Sequence, residues 1–258
     1  MNESEHVLIE VTLPAPVDAV WRALRDPVEI ERWFGWQYDG LDDEIDMIFR
    51  KEARPSDAEH TINWGNGDRF TLEPHGQQTL LRVTRAAPAE GATWDDVYDD
   101  IGEGWTSFVQ QLRFALARHP GEHRRTVWLG GSAVDVDAFP VEAALGMTDV
   151  AALSAGSPYD TTIATGDISG EVWFHAPHQF GVTVEQFGDG LLIAGNQPAS
   201  AQPPHGGAWV IITTYGLDDA AFDELSRRWS TWWDARYKTG DHASPDASPD
   251  ASPDSPDS

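Results

Sequence analysis

Four kinds of side chain in this sequence have the chemistry to do work: neighbouring histidines, crowded carboxylates, a serine among glycines, and many aromatic rings. His175 and His178 have a spacing that two imidazole ligands can use, but Pro177 lies between them and no third ligand is near, so they read as loop histidines. Ser132 follows Gly130 and Gly131 without the strand-to-helix Gly-x-Ser-x-Gly elbow that exposes a nucleophile. Gly188, Asp189 and Gly190 precede Leu191 and read as a hairpin turn rather than a phosphate-cradling loop. Asp95, Asp96, Asp99, Asp100 and Glu103 crowd the start of a helical pattern, where carboxylates favour the positive end of the helix dipole; they lack the spacing of a calcium loop. With no cysteine, thiolate nucleophiles, thiolate zinc sites and disulfides are excluded. The sequence therefore points to no catalytic residue, no metal and no cofactor, and the chain reads as a non-enzyme.

The aromatic set is more informative, with 12 Trp and 10 Phe in 258 residues. Its meaning depends on the elements that carry it. Residues 7–13 read as a strand ending at Pro14. A short helix through Arg25 follows, with Val17, Val20, Trp21 and Leu24 on one face. Asp26-Pro27 stops it, because the residue before proline is pushed out of the α region. Residues 28–34 form a second short helix, and residues 44–49, 60–64, 69–73 and 79–84 read as strands of an antiparallel meander. Residues 94–118 then switch to helical spacing, with Trp94, Val97, Tyr98, Ile101, Trp105, Phe108, Leu112 and Ala115 in one stripe. This order is the outline of an α+β helix grip, in which an antiparallel sheet wraps a long C-terminal helix.

On that outline Trp33, Phe34, Phe49, Trp64, Trp105 and Phe108 face the space between sheet and helix. They are either plain core or the wall of a largely apolar ligand cavity, with Tyr98, Arg69 and Asn63 as its polar candidates. After Gly121 a similar order recurs: a strand at 125–129, a poorer helical region at 139–153, strands at 171–175, 180–187, 191–194 and 209–214, and a helix over 219–237. We therefore expect two helix grips in tandem, residues 1–121 and 122–238. Residues 239–258, built on an Ala-Ser-Pro-Asp repeat, cannot bury enough apolar area to order themselves and are expected to form a disordered acidic tail.

A net charge of −26 repels phosphate backbones and anionic headgroups, so neither nucleic acid nor membrane is an expected partner. The N-terminus lacks the basic start and apolar run of a signal peptide, and no stretch approaches about 18 consecutive apolar residues, which places the expected location in the cytoplasm.

Residues 11–24, from Val11-Thr12-Leu13-Pro14-Ala15-Pro16-Val17-Asp18 through Trp21 to Leu24, resemble the entry segment of the SRPBCC (START-like) superfamily. Glu31-Arg32-Trp33-Phe34 is similar to the Trp-Phe that closes the second short helix in the branch resembling activators of the heat-shock-protein-90 ATPase. Gly104-Trp105, ahead of the apolar residues 108–116, is similar to the start of that branch's final helix. The resemblance covers most of residues 6–118. It departs at residues 37–57, which are charged and lack the Gly-rich strand pair, and the second unit has no Trp-Phe. It implies the helix-grip fold but not one function, since the superfamily spans lipid carriers, aromatases and cyclases, and chaperone cofactors. Three functions stay open: a non-enzymatic binder of an apolar small molecule, an interaction module whose partner is a chaperone or other protein, and an aromatase- or cyclase-like enzyme. The lack of an acid–base pair puts the enzyme last.

Overall fold

The computed structural model describes residues 5–86, 100–199 and 204–238. Tyr98, Asp95, Asp96, Asp99, the helical expectation for 94–99 and the tail 239–258 lie outside the described residues.

Strand β1 (Glu5–Leu13) leads into α1 (Val17–Ala23), which buries Val20, Ala23 and the following Leu24. Helix α2 (Pro27–Glu31) starts with proline at its first turn, where the missing N–H costs nothing, and Asp26 accepts from the Val28 amide at 3.0 Å. Residues 44–49, expected as a strand, are instead helical: α3 (Leu41–Ile45) runs into a π-helical turn (Asp46–Glu52). The alternation over residues 44–47 mimics a strand, but Leu41, Ile45 and Phe49 lie four apart, and all three are buried.

Strands β2 (Arg54–Ser56), β3 (Thr61–Asn63), β4 (Asp68–His75) and β5 (Gln78–Ala86) complete an antiparallel sheet of order β1-β5-β4-β3-β2. Alternation along β4 turns Asp68, Phe70 and Leu72 inward, onto α4 (Asp100–Arg118).

The second unit repeats the plan. Strand β6 (Arg125–Ala133) is followed by a 3₁₀ turn (Val136–Ala138) and the short helices α5 (Val141–Leu145) and α6 (Thr148–Ala151). Then come β7 (Pro158–Ile163), β8 (Gly166–His175), β9 (Gln179–Val184), β10 (Gly190–Gln197), β11 (Gly207–Thr214), α7 (Asp219–Asp234) and β12 (Tyr237–Lys238). The antiparallel order is β12-β6-β11-β10-β9-β8-β7. In both units the first strand lies beside the last strand before the long helix, so both are helix grips. Asp218 caps α7 by accepting from the Ala221 amide at 2.8 Å.

Helix α4 belongs to both sheets. Trp105, Val109, Leu112 and Ala115 pack on the first. Phe114 packs on Trp173, Phe174, Leu191, Ile193, Ile211 and Tyr215 of the second. The opposite face of that second sheet, with Leu192, Ala194, Val210 and Ile212, packs in one cluster with Trp229 and Trp233 of α7. A sheet covered on both faces explains the unbroken apolar runs Leu191-Leu192-Ile193-Ala194 and Val210-Ile211-Ile212, where a one-sided sheet would alternate.

Candidate functional site

Six of the seven aromatic residues singled out by the sequence come together. Trp33 and Phe34 end the α2 segment, Phe49 sits on the π-helical turn, Trp64 follows β3, and Trp105 and Phe108 project from α4. Their rings meet mostly edge to face: Phe34–Phe49 at 5.0 Å, Phe34–Phe108 at 4.8 Å, Trp33–Phe49 at 5.8 Å and Trp64–Trp105 at 5.4 Å between centroids. The indole N–H groups are matched to acceptors as buried donors require. Trp33 donates to the Ala23 carbonyl at 2.9 Å, Trp64 to the Ile48 carbonyl at 2.9 Å, and Trp105 to Asp68 at 3.0 Å.

Asp68 was missed by the sequence reading, which began the strand at residue 69, whereas β4 begins at Asp68. The inward alternation Asp68, Phe70, Leu72 is the signal that finds it. Its carboxylate is buried and accepts from Arg85, Trp105 and Asn66. Phe70, also missed, completes the cluster at 4.9 Å from both Trp64 and Trp105. Arg69 and Asn63 face each other in register on the alternate positions of β4 and β3 and are half-buried.

On the solvent side a depression of about 340 Å³ opens between α2, α3 and the π-helical turn, lined by Pro27, Val28, Glu31, Asp42, Ile45, Asp46 and Arg50. Ile45 belongs to the same apolar cluster as Trp33 and Phe49. Asp46, on the rim, is held below the usual carboxylate range by a hydrogen bond from Lys51 and by the charges of Lys51 and Arg50.

The second interior differs in one respect. Trp229, Trp232 and Trp233 are 0%, 8% and 1% exposed, yet their indole nitrogens have no hydrogen-bond partner among the described residues. A buried donor without an acceptor costs about 1–3 kcal/mol.

The units are joined by a buried polar network. Arg124, 3% exposed, donates to Gln111 Oε1 and to the backbone carbonyls of Glu31, Phe34 and Gly35. Burial pushes its guanidinium down to about 10, which leaves it a cation at neutral pH, surrounded by neutral carbonyls. Gln111 also donates to the Gly35 carbonyl at 3.1 Å and accepts from Thr213 at 3.0 Å. Trp36 stacks on Trp128 at 4.6 Å; the Gln37 amide N–H donates to the Thr126 hydroxyl, and the Gln37 side chain accepts from the Thr126 amide and donates to the Arg124 carbonyl.

The other sequence candidates lie apart. His175 bonds the Leu153 carbonyl at 2.7 Å, and no group of three metal-ligating side chains occurs among the described residues. Ser132 is a β6 residue paired with Gly207 and Lys238, not an elbow. Gly188, with φ of 73°, forms the turn between β9 and β10, and a side chain there would collide with the Tyr215 carbonyl. No helix among the described residues is long and apolar enough to cross a membrane.

Solved structures to which the chain is similar include the following three. DynU16, described as a protein of the dynemicin biosynthetic locus, is 16% identical, with 90% of this chain and 96% of that one covered and a TM-score of 0.28. The di-domain ARO/CYC BexL from the BE-7585A biosynthetic pathway is 16% identical, with 90% and 94% covered and a TM-score of 0.31. The fold is a tandem helix grip. CalU16 from Micromonospora echinospora is 25% identical over 45% of this chain and 68% of its own, with a TM-score of 0.31. No protein-family model matches the chain, and no curated protein does.

Proposed function

We propose that this chain is a non-catalytic helix-grip protein that binds an apolar small molecule between a sheet and its long helix. The proposed site is the first interior, walled by Trp33, Phe34, Phe49, Trp64, Trp105 and Phe108. The observation that carries the reading is the depression over Ile45, which brings solvent to the edge of the same apolar cluster. The rings fill their space at contact distance, so uptake requires the depression to deepen. Helix α3 and the π-helical turn are suited to yield: both are short, neither has a side-chain cap, and π-turns concentrate where helices serve function. A non-catalytic role fits the one buried carboxylate among the described residues, since Asp68 is tied to Arg85, Trp105 and Asn66 rather than free to move a proton.

Titration of the full chain with the neutral fluorophore N-phenyl-1-naphthylamine tests this. Saturable binding by folded protein, weakened several-fold in Trp33→Phe at unchanged fold, is the expected result. Folded wild-type protein that takes up no probe would remove the reading and leave the surface-contact role implied by the resemblance to the activator-like branch.

A further inference from the structure

The face of the first sheet turned away from α4 carries polar side chains that the ring cluster does not use. Ile62 of β3 and Asp68, Phe70 and Leu72 of β4 point inward, so the alternate positions point outward. Register places two rows there. Arg54, Asn63, Arg69 and Thr84 lie side by side across β2, β3, β4 and β5, and Ser56, Thr61, Thr71 and Arg82 form the next row. Neighbouring strands are about 4.8 Å apart and diagonal neighbours about 7–8 Å, within reach of an arginine side chain. Two groups in these rows lack the partner that burial demands. Thr61 is 2% exposed, and its hydroxyl has no hydrogen-bond partner among the described residues. The Nε–H of the half-buried Arg69 is likewise shielded from solvent and has no acceptor there. No carboxylate pairs with Arg69 among the described residues, although the chain carries a net charge of −26. Glu10 and Glu73, the nearby carboxylates on this face, are both held by Arg82 at 2.8 Å.

We propose that the outer face of the first sheet binds a phosphate group, held by the Arg69 guanidinium and the Thr61 hydroxyl with Asn63 and Arg54 beside them. A guanidinium is a donor only, so an unsatisfied Nε–H calls for an acceptor and cannot ligate a metal. Its fork matches an oxyanion, with which it makes charge-assisted hydrogen bonds. Donors contributed by two strands are spread in space, which suits the tetrahedral oxygens of phosphate better than a planar carboxylate. Arg54 adds a second cation. Its Nη1 donates to the carbonyls of Lys51, Glu52 and Ala53, which fixes the guanidinium at the end of the row. The negative field of the whole chain opposes an incoming anion, but salt screens it beyond about 8–10 Å, and the contacts at the row then decide binding. This face lies across the sheet from the ring cluster, so the site goes beyond uptake by the first interior and does not depend on it.

Amide and arginine Nε–H resonances of the full chain, followed during titration with inorganic phosphate and with phenyl phosphate, test the proposal. Sodium chloride holds the ionic strength constant, so general screening of the acidic chain does not move the signals. Saturable shifts of the Arg69 Nε–H and of the Thr61, Asn63 and Arg69 amides are expected with both compounds, a readout that needs no variant to fold. Arg69→Gln should weaken phosphate binding at least about tenfold, and Arg69→Lys should weaken it less. Arg22→Gln removes the same charge from an exposed position on α1 and should leave binding unchanged. Shifts that do not saturate, or that spare the β3 and β4 residues, would overturn the proposal. So would an affinity that survives Arg69→Gln or falls equally in Arg22→Gln. None of these outcomes touches the binding of N-phenyl-1-naphthylamine, so the two sites stand or fall separately.

Discussion

At the scale of single residues, the first interior is fastened by Asp68, which ties strand β4 to helix α4 through Trp105 and to β5 through Arg85. Asp68→Asn is expected to destabilise the protein by about 2–3 kcal/mol in urea unfolding. That is below the roughly 3–5 kcal/mol of a fully enclosed pair, because the Arg85 side chain is 13% exposed. Tyrosines supply a second residue-scale test. Burial raises the phenols of Tyr159 and Tyr237 and pushes Tyr215 up to about 12, with Tyr159 and Tyr237 also bonded to the Thr183 and Ala138 carbonyls. In the unfolded chain tyrosine ionises near 10, so the native state holds more protons above that pH. Their contribution is intact below about pH 10 and is lost as pH rises through the folded values. Phenolate absorbance should show these three still protonated at pH 11 and ionising only with alkaline unfolding. The aromatic members of the site were legible because Trp and Phe at helical spacing announce burial. Asp68 was not, because a carboxylate after Asn-Gly looks like turn chemistry until strand alternation is followed inward.

At the scale of elements, α4 carries the fold. Its stripe of Trp105, Phe108, Leu112 and Ala115 was plain from helical periodicity, but Ser107, Gln110, Gln111 and Phe114 are buried too, since a second sheet covers that face. A single amphipathic stripe says which face is apolar; Ser and Gln on the other give no warning that it also is enclosed. Phe114→Ala should therefore cost about as much as Leu112→Ala, roughly 3–5 kcal/mol, whereas a one-sided helix would tolerate the first far better. Strand β7 escaped the sequence reading because Pro158 and the flanking Gly156 and Gly166 read as punctuation, and its inward residues are only Tyr159 and Ile163. Residues 44–49 misled for the opposite reason, an alternation over Glu44, Ile45, Asp46 and Met47 laid over a longer spacing of four.

At the scale of the molecule, the order strand, short helices, strands, long helix was readable twice along the chain, and the pairing of first with last strand repeats in both sheets. What the sequence could not convey is how the units meet. Arg124 reads as one basic residue in a linker, yet it holds the carbonyls of Glu31, Phe34 and Gly35 beside Gln111 of α4. Dividing the chain at residues 121 and 122 removes Arg124 and uncovers Phe114. The fragment 1–121 is expected to melt cooperatively but at least about 5 °C below the full chain. Equal melting temperatures would show that the junction adds nothing to the first unit. Uptake of an apolar molecule at the ring cluster can be read by native mass spectrometry of the full chain with N-phenyl-1-naphthylamine. The expected spectrum shows a retained adduct that is depleted in Trp33→Phe. An adduct-free spectrum of folded wild-type protein, or an adduct indifferent to that substitution, would contradict it.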